Sequence, residues 1–343
     1  MVASPRGGPH EMPHGHVDRD VLTAGNIPPG HHLLLGISER GMVQFLERIG
    51  FPGSYTRDER EEFPGLGWVT RQYGPGLTGY DLCEAVRAWL RAEDKEQQSV
   101  CEVLRSEGSP HIAQANVFYS HVQRFSIGAT IYCMGRACRD HAHALRRAGR
   151  GSPKQTGLVK TEGLFFWLDY FCLRQCQSDF NIPNVLSVVK QIGCTLAEID
   201  AHMDYLSRTW CILELISTIM GDAMLLVAVR LEPHELTRKL HATRVDVASA
   251  TTRNPRDKHA IDKLIADSVG FDTVNELTHA ALVDASAKMS AIPLRLQCET
   301  CCERALVCLG LRCMLDKLEA RVGARLRADP AVNWRFTDGG SRA

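Results

Sequence analysis

No apolar run in the 343-residue chain approaches the roughly 18 residues that a membrane-spanning helix requires. The best candidate, Ala223–Val229, has the length of a buried strand and is halted by Arg230. An excess of one charge sign is also missing. Lys plus Arg and Asp plus Glu number 40 each, so no global basic field draws in nucleic acid or anionic lipid. The first residues, MVASPRGGPHEMPHGH, contain no apolar stretch of the kind that a secretory signal needs. No Walker motif or Gly-rich dinucleotide loop is visible. Cysteine, by contrast, is plentiful. Thirteen cysteines with no export signal lead us to expect a reducing cytoplasmic setting and mostly free thiols.

Composition is that of a globular chain, 44% hydrophobic and 23% charged. Residues 1–30 are rich in Gly, Pro and His and are expected to be a disordered tail. His10, His14 and His16 are potential metal ligands, but a flexible tail imposes no geometry on them, and no metal site is expected. Residues 31–112 read as a small helical region. Met42, Phe45, Leu46 and Ile49 recur at helical spacing until Gly50 and Pro52, and Leu82, Val86 and Leu90 repeat the pattern. With a boundary before VFYSH, this region is expected to be separable from the rest of the chain.

From about residue 113 to 287 the rhythm alternates. Asn116–His121 (NVFYSH) is a short strand. Ile127, Ile131, Met134, Cys138, Ala142 and Leu145 then mark one helix face, and GRGSPKQTG is a loop. LFFWLD (164–169) is an apolar strand ending in an acid. Val185, Val188, Val189 and Ile192 mark a helix before a weak strand at 194–199. Ser207 is a candidate cap for a helix running to Met220, and AMLLVAV (223–229) is a fourth strand. Residues 255–285 read as two helices around Gly270, and residues 288–343 as an amphipathic helix and tail. Such alternation implies a parallel sheet with right-handed crossovers, with ligands gathered at the carboxyl ends of its strands.

The order of these pieces resembles the Toll/interleukin-1 receptor (TIR) family, and most closely TIR-like proteins of algae and other protists. VFYSH (117–121) matches the family's opening strand. FFWLDYFCLRQCQSDFN (165–181) matches the second strand and its BB loop, and SRTWCILEL carries W-C-x-x-E-L as Trp210, Cys211, Glu214 and Leu215. GLTGY (76–80) and DKHAIDKLI (257–265) fit flanking motifs of the protist proteins. The chain departs from the pattern at CTLAEID, with Glu198 inside the third strand and Asp200 in place of a serine. Val122 and Gln123 also intervene before Arg124.

The resemblance implies a flavodoxin-like α/β fold with helical N- and C-terminal extensions. It further implies an intracellular signalling protein that self-associates as a homo-oligomer and hydrolyses NAD at the nicotinamide–ribose bond. NAD is then the substrate, and no cofactor is expected. The alternative is a non-enzymatic module that binds other signalling proteins; neither reading involves nucleic acid or membrane. Cleavage of that bond develops positive charge on the ribose, which one carboxylate can stabilise while nicotinamide leaves neutral. Glu214 is the candidate catalytic residue. Trp210, one turn earlier, shares its face, and Ser120, Arg124, Asp169 and Arg174 are candidates for the substrate pocket. The bland alternative stays open: Glu214 falls with Ser217 and Thr218 on a polar side, as a solvated helix glutamate would. Ser120 and His121 form no dyad, because neighbouring strand residues point to opposite faces. Cys298, Cys301, Cys302, Cys308 and Cys313 begin like a zinc site, but their spacing also suits thiols on one apolar helix face.

Overall fold

The structure, a computed structural model, describes residues 26–51, 77–148, 163–177, 181–221, 223–229 and 233–290. His10, His14, His16, the GRGSPKQTG loop, the cysteine cluster from Cys298 to Cys313 and the last expected helix lie outside them.

The segment after residue 31 opens with strand β1 (Leu35–Ile37) and helix α1 (Glu39–Arg48). Ser38 caps α1 by accepting the Gly41 N–H, satisfying a donor that the first turn would otherwise leave unpaired. Helices α2 (Gly79–Ala92) and α3 (Val100–Ser106) each begin with a reciprocal capping box, Thr78 with Asp81 and Ser99 with Glu102. Strand β2 (Ile112–Gln114) comes after them, then β3 (Val117–Ser120) and the long helix α4 (Ile127–Ala148). Its expected apolar face is buried at Ile127, Ile131 and Met134.

Next come β4 (Phe166–Trp167), the short α5 (Asp169–Cys172), α6 (Ile182–Ile192) and β5 (Cys194–Ile199). Gly193 ends α6 at φ +70°, a left-handed conformation that costs a residue with a Cβ more than it costs glycine. A 3-10 turn (Asp204–Ser207) leads to α7 (Thr209–Met220), then β6 (Met224–Val229), α8 (Pro233–Ala242), α9 (Pro255–Ser268) and α10 (Phe271–Ser290). None of the described helices is long and apolar enough to cross a membrane.

The chain is an α/β protein with one mixed six-stranded sheet in the order β2-β1-β4-β3-β5-β6. Strands β4, β3, β5 and β6 run parallel, whereas β1 is antiparallel to both β4 and β2. The expectation of a purely parallel sheet is therefore corrected at one edge. The region read as helical supplies both strands of that edge, β1 and β2, each only three residues long and too short to show a periodicity.

Three further readings change. The strand expected over 164–169 is confined to Phe166–Trp167, because Asp169 starts α5 and its Oδ1 accepts the Tyr170 N–H at 2.8 Å. The weak third strand is the best paired of all. All six residues of β5 are buried and all pair with β6, and three also pair with β3. Ser207 does not cap α7; its hydroxyl closes the 3-10 turn on the Asp204 carbonyl, and the first α7 amide, Thr209 N–H, donates to the Thr251 carbonyl.

The boundary expected before residue 113 does not separate two cores. Leu35, Ile37, Phe45, Leu82, Val86 and Val103 belong to the same buried cluster as Val117, Phe118, Phe166 and Leu196. Trp167 Nε1 donates to the Leu33 carbonyl at 2.8 Å. Burying one such side chain is worth roughly 1.5–3 kcal/mol, and whole domains are stable by only about 5–15 kcal/mol. Deleting residues 1–110 should therefore leave a chain without a cooperative thermal transition by circular dichroism. A soluble fragment melting sharply would mean that the N-terminal strands and helices are dispensable.

Candidate functional site

In the parallel part of the sheet the chain enters at β3, steps to β4 on one side, and then crosses to β5 on the other. The carboxyl ends of β3 and β5 thus flank the point where the strand order reverses, where open α/β sheets leave a crevice. Ser120 is the last residue of β3, and Asp200 comes directly after β5.

The alternation of β3 splits its polar groups between two faces. Tyr119 donates its hydroxyl to Glu198 Oε2 at 3.0 Å, and Thr130 of α4 donates to the same oxygen at 2.9 Å. Ser120 points the other way, towards α7, and donates to Glu214 Oε2. The Tyr205 hydroxyl lies 2.5 Å from Ser120 Oγ. The same Tyr205 hydroxyl also donates to the Cys211 carbonyl at 3.5 Å, so it bridges Ser120 and the first turn of α7. Asp200 positions Tyr205: its carboxylate accepts the His202 N–H at 2.7 Å and the Tyr205 N–H at 3.2 Å. A relay Tyr205–Ser120–Glu214 thus joins the 3-10 turn, β3 and α7.

Glu214 is 9% exposed, which corrects the reading of a solvated helix glutamate. Both sides of α7 are covered. Ser217 and Thr218 are buried too, and Thr218 uses its hydroxyl on the Glu214 carbonyl and on Thr195. Burial pushes the Glu214 carboxyl up to about 8. The Ser120 bond opposes the shift, and the negative field of Asp169 adds to it. Burial likewise raises the Tyr205 hydroxyl and the Cys211 thiol well above their usual ranges, so both stay neutral.

A second group surrounds Asp169. His121 Nε2 lies 2.5 Å from the Tyr170 hydroxyl and 3.6 Å from Asp169 Oδ1, and Gln123 Nε2 donates to Asp169 Oδ2 at 2.5 Å. Ser120 and His121 reach different partners, as strand geometry requires. GLTGY acquires a physical reason here. A Cβ on Gly79 would sit 1.9 Å from the Tyr170 hydroxyl, so only glycine lets the start of α2 close over this pair. Cys211 Sγ approaches the His121 carbonyl at 3.3 Å.

The structure thus brings Ser120 and Glu214 together, with Asp169 close enough to act on Glu214 electrostatically. Other candidates have partners elsewhere. Arg124 pairs with Asp204 at 2.5 Å. Arg174 grips Glu102 of α3 through two bonds of 3.0 and 2.8 Å, tying the segment after α5 to the N-terminal region. Trp210 donates its indole N–H to Asp257 of α9 at 3.3 Å, whereas Glu214 reaches β3. Tyr205 escaped sequence reasoning, since no local pattern links it to a serine 85 residues away. Among the described residues no cluster of three or more His, Cys, Asp or Glu is arranged to hold a metal ion.

No protein-family model, curated protein or solved structure matches this chain.

Proposed function

We propose that the chain is a TIR-like protein that self-associates and hydrolyses the nicotinamide–ribose bond of NAD through Glu214. The observation that carries this reading is a buried carboxyl, hydrogen-bonded by Ser120, at the switch point between β3 and β5. The parallel strands, numbered among themselves, run 2-1-3-4, the beginning of the flavodoxin-like order.

In this reaction the ionised Glu214 faces the ribose. The C1′–N bond breaks, its electron pair leaves with nicotinamide, and the pyridinium becomes a neutral ring. Water adds to C1′ and releases a proton, giving ADP-ribose. Ser120 and Tyr205 hold the carboxylate in place, and apolar surroundings strengthen its attraction for the cationic centre. With a carboxyl pushed up to about 8, only about one Glu214 in ten is ionised at pH 7. The pyridinium of bound NAD favours the ionised form, because a nearby opposite charge draws the proton off.

One observation favours the second reading, a non-enzymatic interaction module. Both arginines expected to meet substrate, Arg124 and Arg174, are engaged by Asp204 and Glu102. Nicotinamide release measured over a dilution series separates the two. If assembly completes the pocket, the rate should rise more than linearly with protein concentration. An interaction module releases none.

A further inference from the structure

Among the described residues, a cleft of about 440 Å³ is lined by Tyr80, Asp81 and Glu84 of α2 and by Arg253, just ahead of α9. Both walls are anchored to the elements that build the Glu214 site. On one side the Tyr80 N–H donates to the Gln123 carbonyl, and the Gln123 side chain holds Asp169. On the other, the Thr251 carbonyl accepts the first amide of α7, the helix that carries Glu214. The cleft therefore opens beside the carboxyl ends of the parallel strands, outside the relay already described.

Its chemistry is unlike that of the relay. Tyr80 is half-buried, and the exposed Arg253 guanidinium covers its ring, 5.3 Å from the centroid. Asp81 and Glu84 are exposed carboxylates on the same wall; Glu84 uses Oε1 on Arg87 at 2.6 Å, which leaves Oε2 for a ligand. Hydrogen bonds from the Thr78 backbone and hydroxyl hold the Asp81 carboxyl below its usual range, so it stays an acceptor at neutral pH. A tyrosine face and a guanidinium plane both stack on flat heterocycles, and carboxylates accept from exocyclic amines. Two carboxylates repel phosphate.

We propose that this cleft is a base subsite for an amino-bearing planar heterocycle of the adenine type. The base takes the place of the Arg253 guanidinium on the Tyr80 ring, with Arg253 swinging aside to its edge, and gives its amine hydrogens to Asp81 or Glu84. The proposal rests on the hydrolase reading for the ligand's identity: the base would be the adenine of NAD, with its nicotinamide ribose at Glu214.

Binding of adenosine monophosphate to the full chain, monitored by saturation-transfer difference NMR, tests this, with nicotinamide mononucleotide as the comparison. Transfer to the adenine ring protons is expected from the wild type and from Glu214→Gln. Tyr80→Ala should weaken binding by about tenfold or more, the scale of losing one stacked base, while Tyr80→Phe should retain it. If nicotinamide is released, Tyr80→Ala should raise KM for NAD and leave kcat close to wild type. Adenine binding with no nicotinamide release keeps the subsite and removes the hydrolase. Nicotinamide release whose KM ignores Tyr80→Ala, or adenine binding that survives it, overturns the subsite and leaves Glu214 untouched. No adenine binding at all also overturns it.

Discussion

Replacing Glu214 by glutamine should lower nicotinamide release from NAD by about 100- to 1,000-fold, the usual effect of removing one preorganised electrostatic contact to a transition state. Glutamine keeps the size of the side chain and an acceptor for Ser120, whose hydroxyl reaches Glu214 Oε2 in the structure. The fold should therefore survive, and lost activity would report on charge. Ser120→Ala and Tyr205→Phe act one and two bonds away, so they should lower the rate less. Trp210→Ala is a poorer probe: the indole packs against two apolar clusters and bonds Asp257, so its removal perturbs the fold under either reading.

The same carboxyl should make stability fall as pH rises. Glu214 is pushed up to about 8 from an ordinary 4.5. Between these values the folded chain keeps a proton that the unfolded chain has released. Stability linked to this group is full below about 4.5 and is lost as pH rises through about 8. A shift of that size amounts to about 5 kcal/mol, large beside the 5–15 kcal/mol of a typical domain. Urea denaturation at pH 5 and pH 9 should show the wild type markedly weaker at the higher pH. Glu214→Gln, which cannot ionise, should lose much of that dependence and be the more stable protein at pH 9. Parallel pH profiles for the two proteins would show that the buried carboxyl is already ionised at neutral pH.

Elements with a periodicity of their own were legible in the sequence. The α4 face from Ile127 to Met134, the α6 stripe ending at Gly193, the helix pair around Gly270 and the strands 117–120 and 224–229 all stand close to where pattern places them. Elements defined by distant partners were not. LGI and IAQ become strands by pairing with each other, at separations from 75 (Ile37 to Ile112) to 79 (Leu35 to Gln114), and LGI also by pairing with Phe166 of β4. Among its described side chains, helix α8 buries two hydrophobics, Leu236 and Leu240, one turn apart, too little for a stripe. CTLAEID looked poor as a strand because of Glu198, yet that carboxyl is met inside the fold by Tyr119 and Thr130.

The site shows the same division. Glu214 and Ser120 were visible through motif resemblance, but the burial of Glu214 was not. A helix covered on both sides needs no polar face, and Ser217 and Thr218 imitate one. Tyr205 and Asp200 entered only with the third dimension. Arg124 carried suitable charge for a phosphate and Arg174 stood at the expected pocket entrance, and ion pairs with Asp204 and Glu102 occupy both.

Free nicotinamide, measured as concentrated full-length protein is incubated with NAD from pH 6 to pH 9, tests the central claim most directly. A Glu214 that works when ionised predicts a rate that climbs with pH towards a plateau above about 8, steepens with protein concentration and vanishes in Glu214→Gln. No nicotinamide at any pH or concentration, or release that persists in Glu214→Gln, would contradict it.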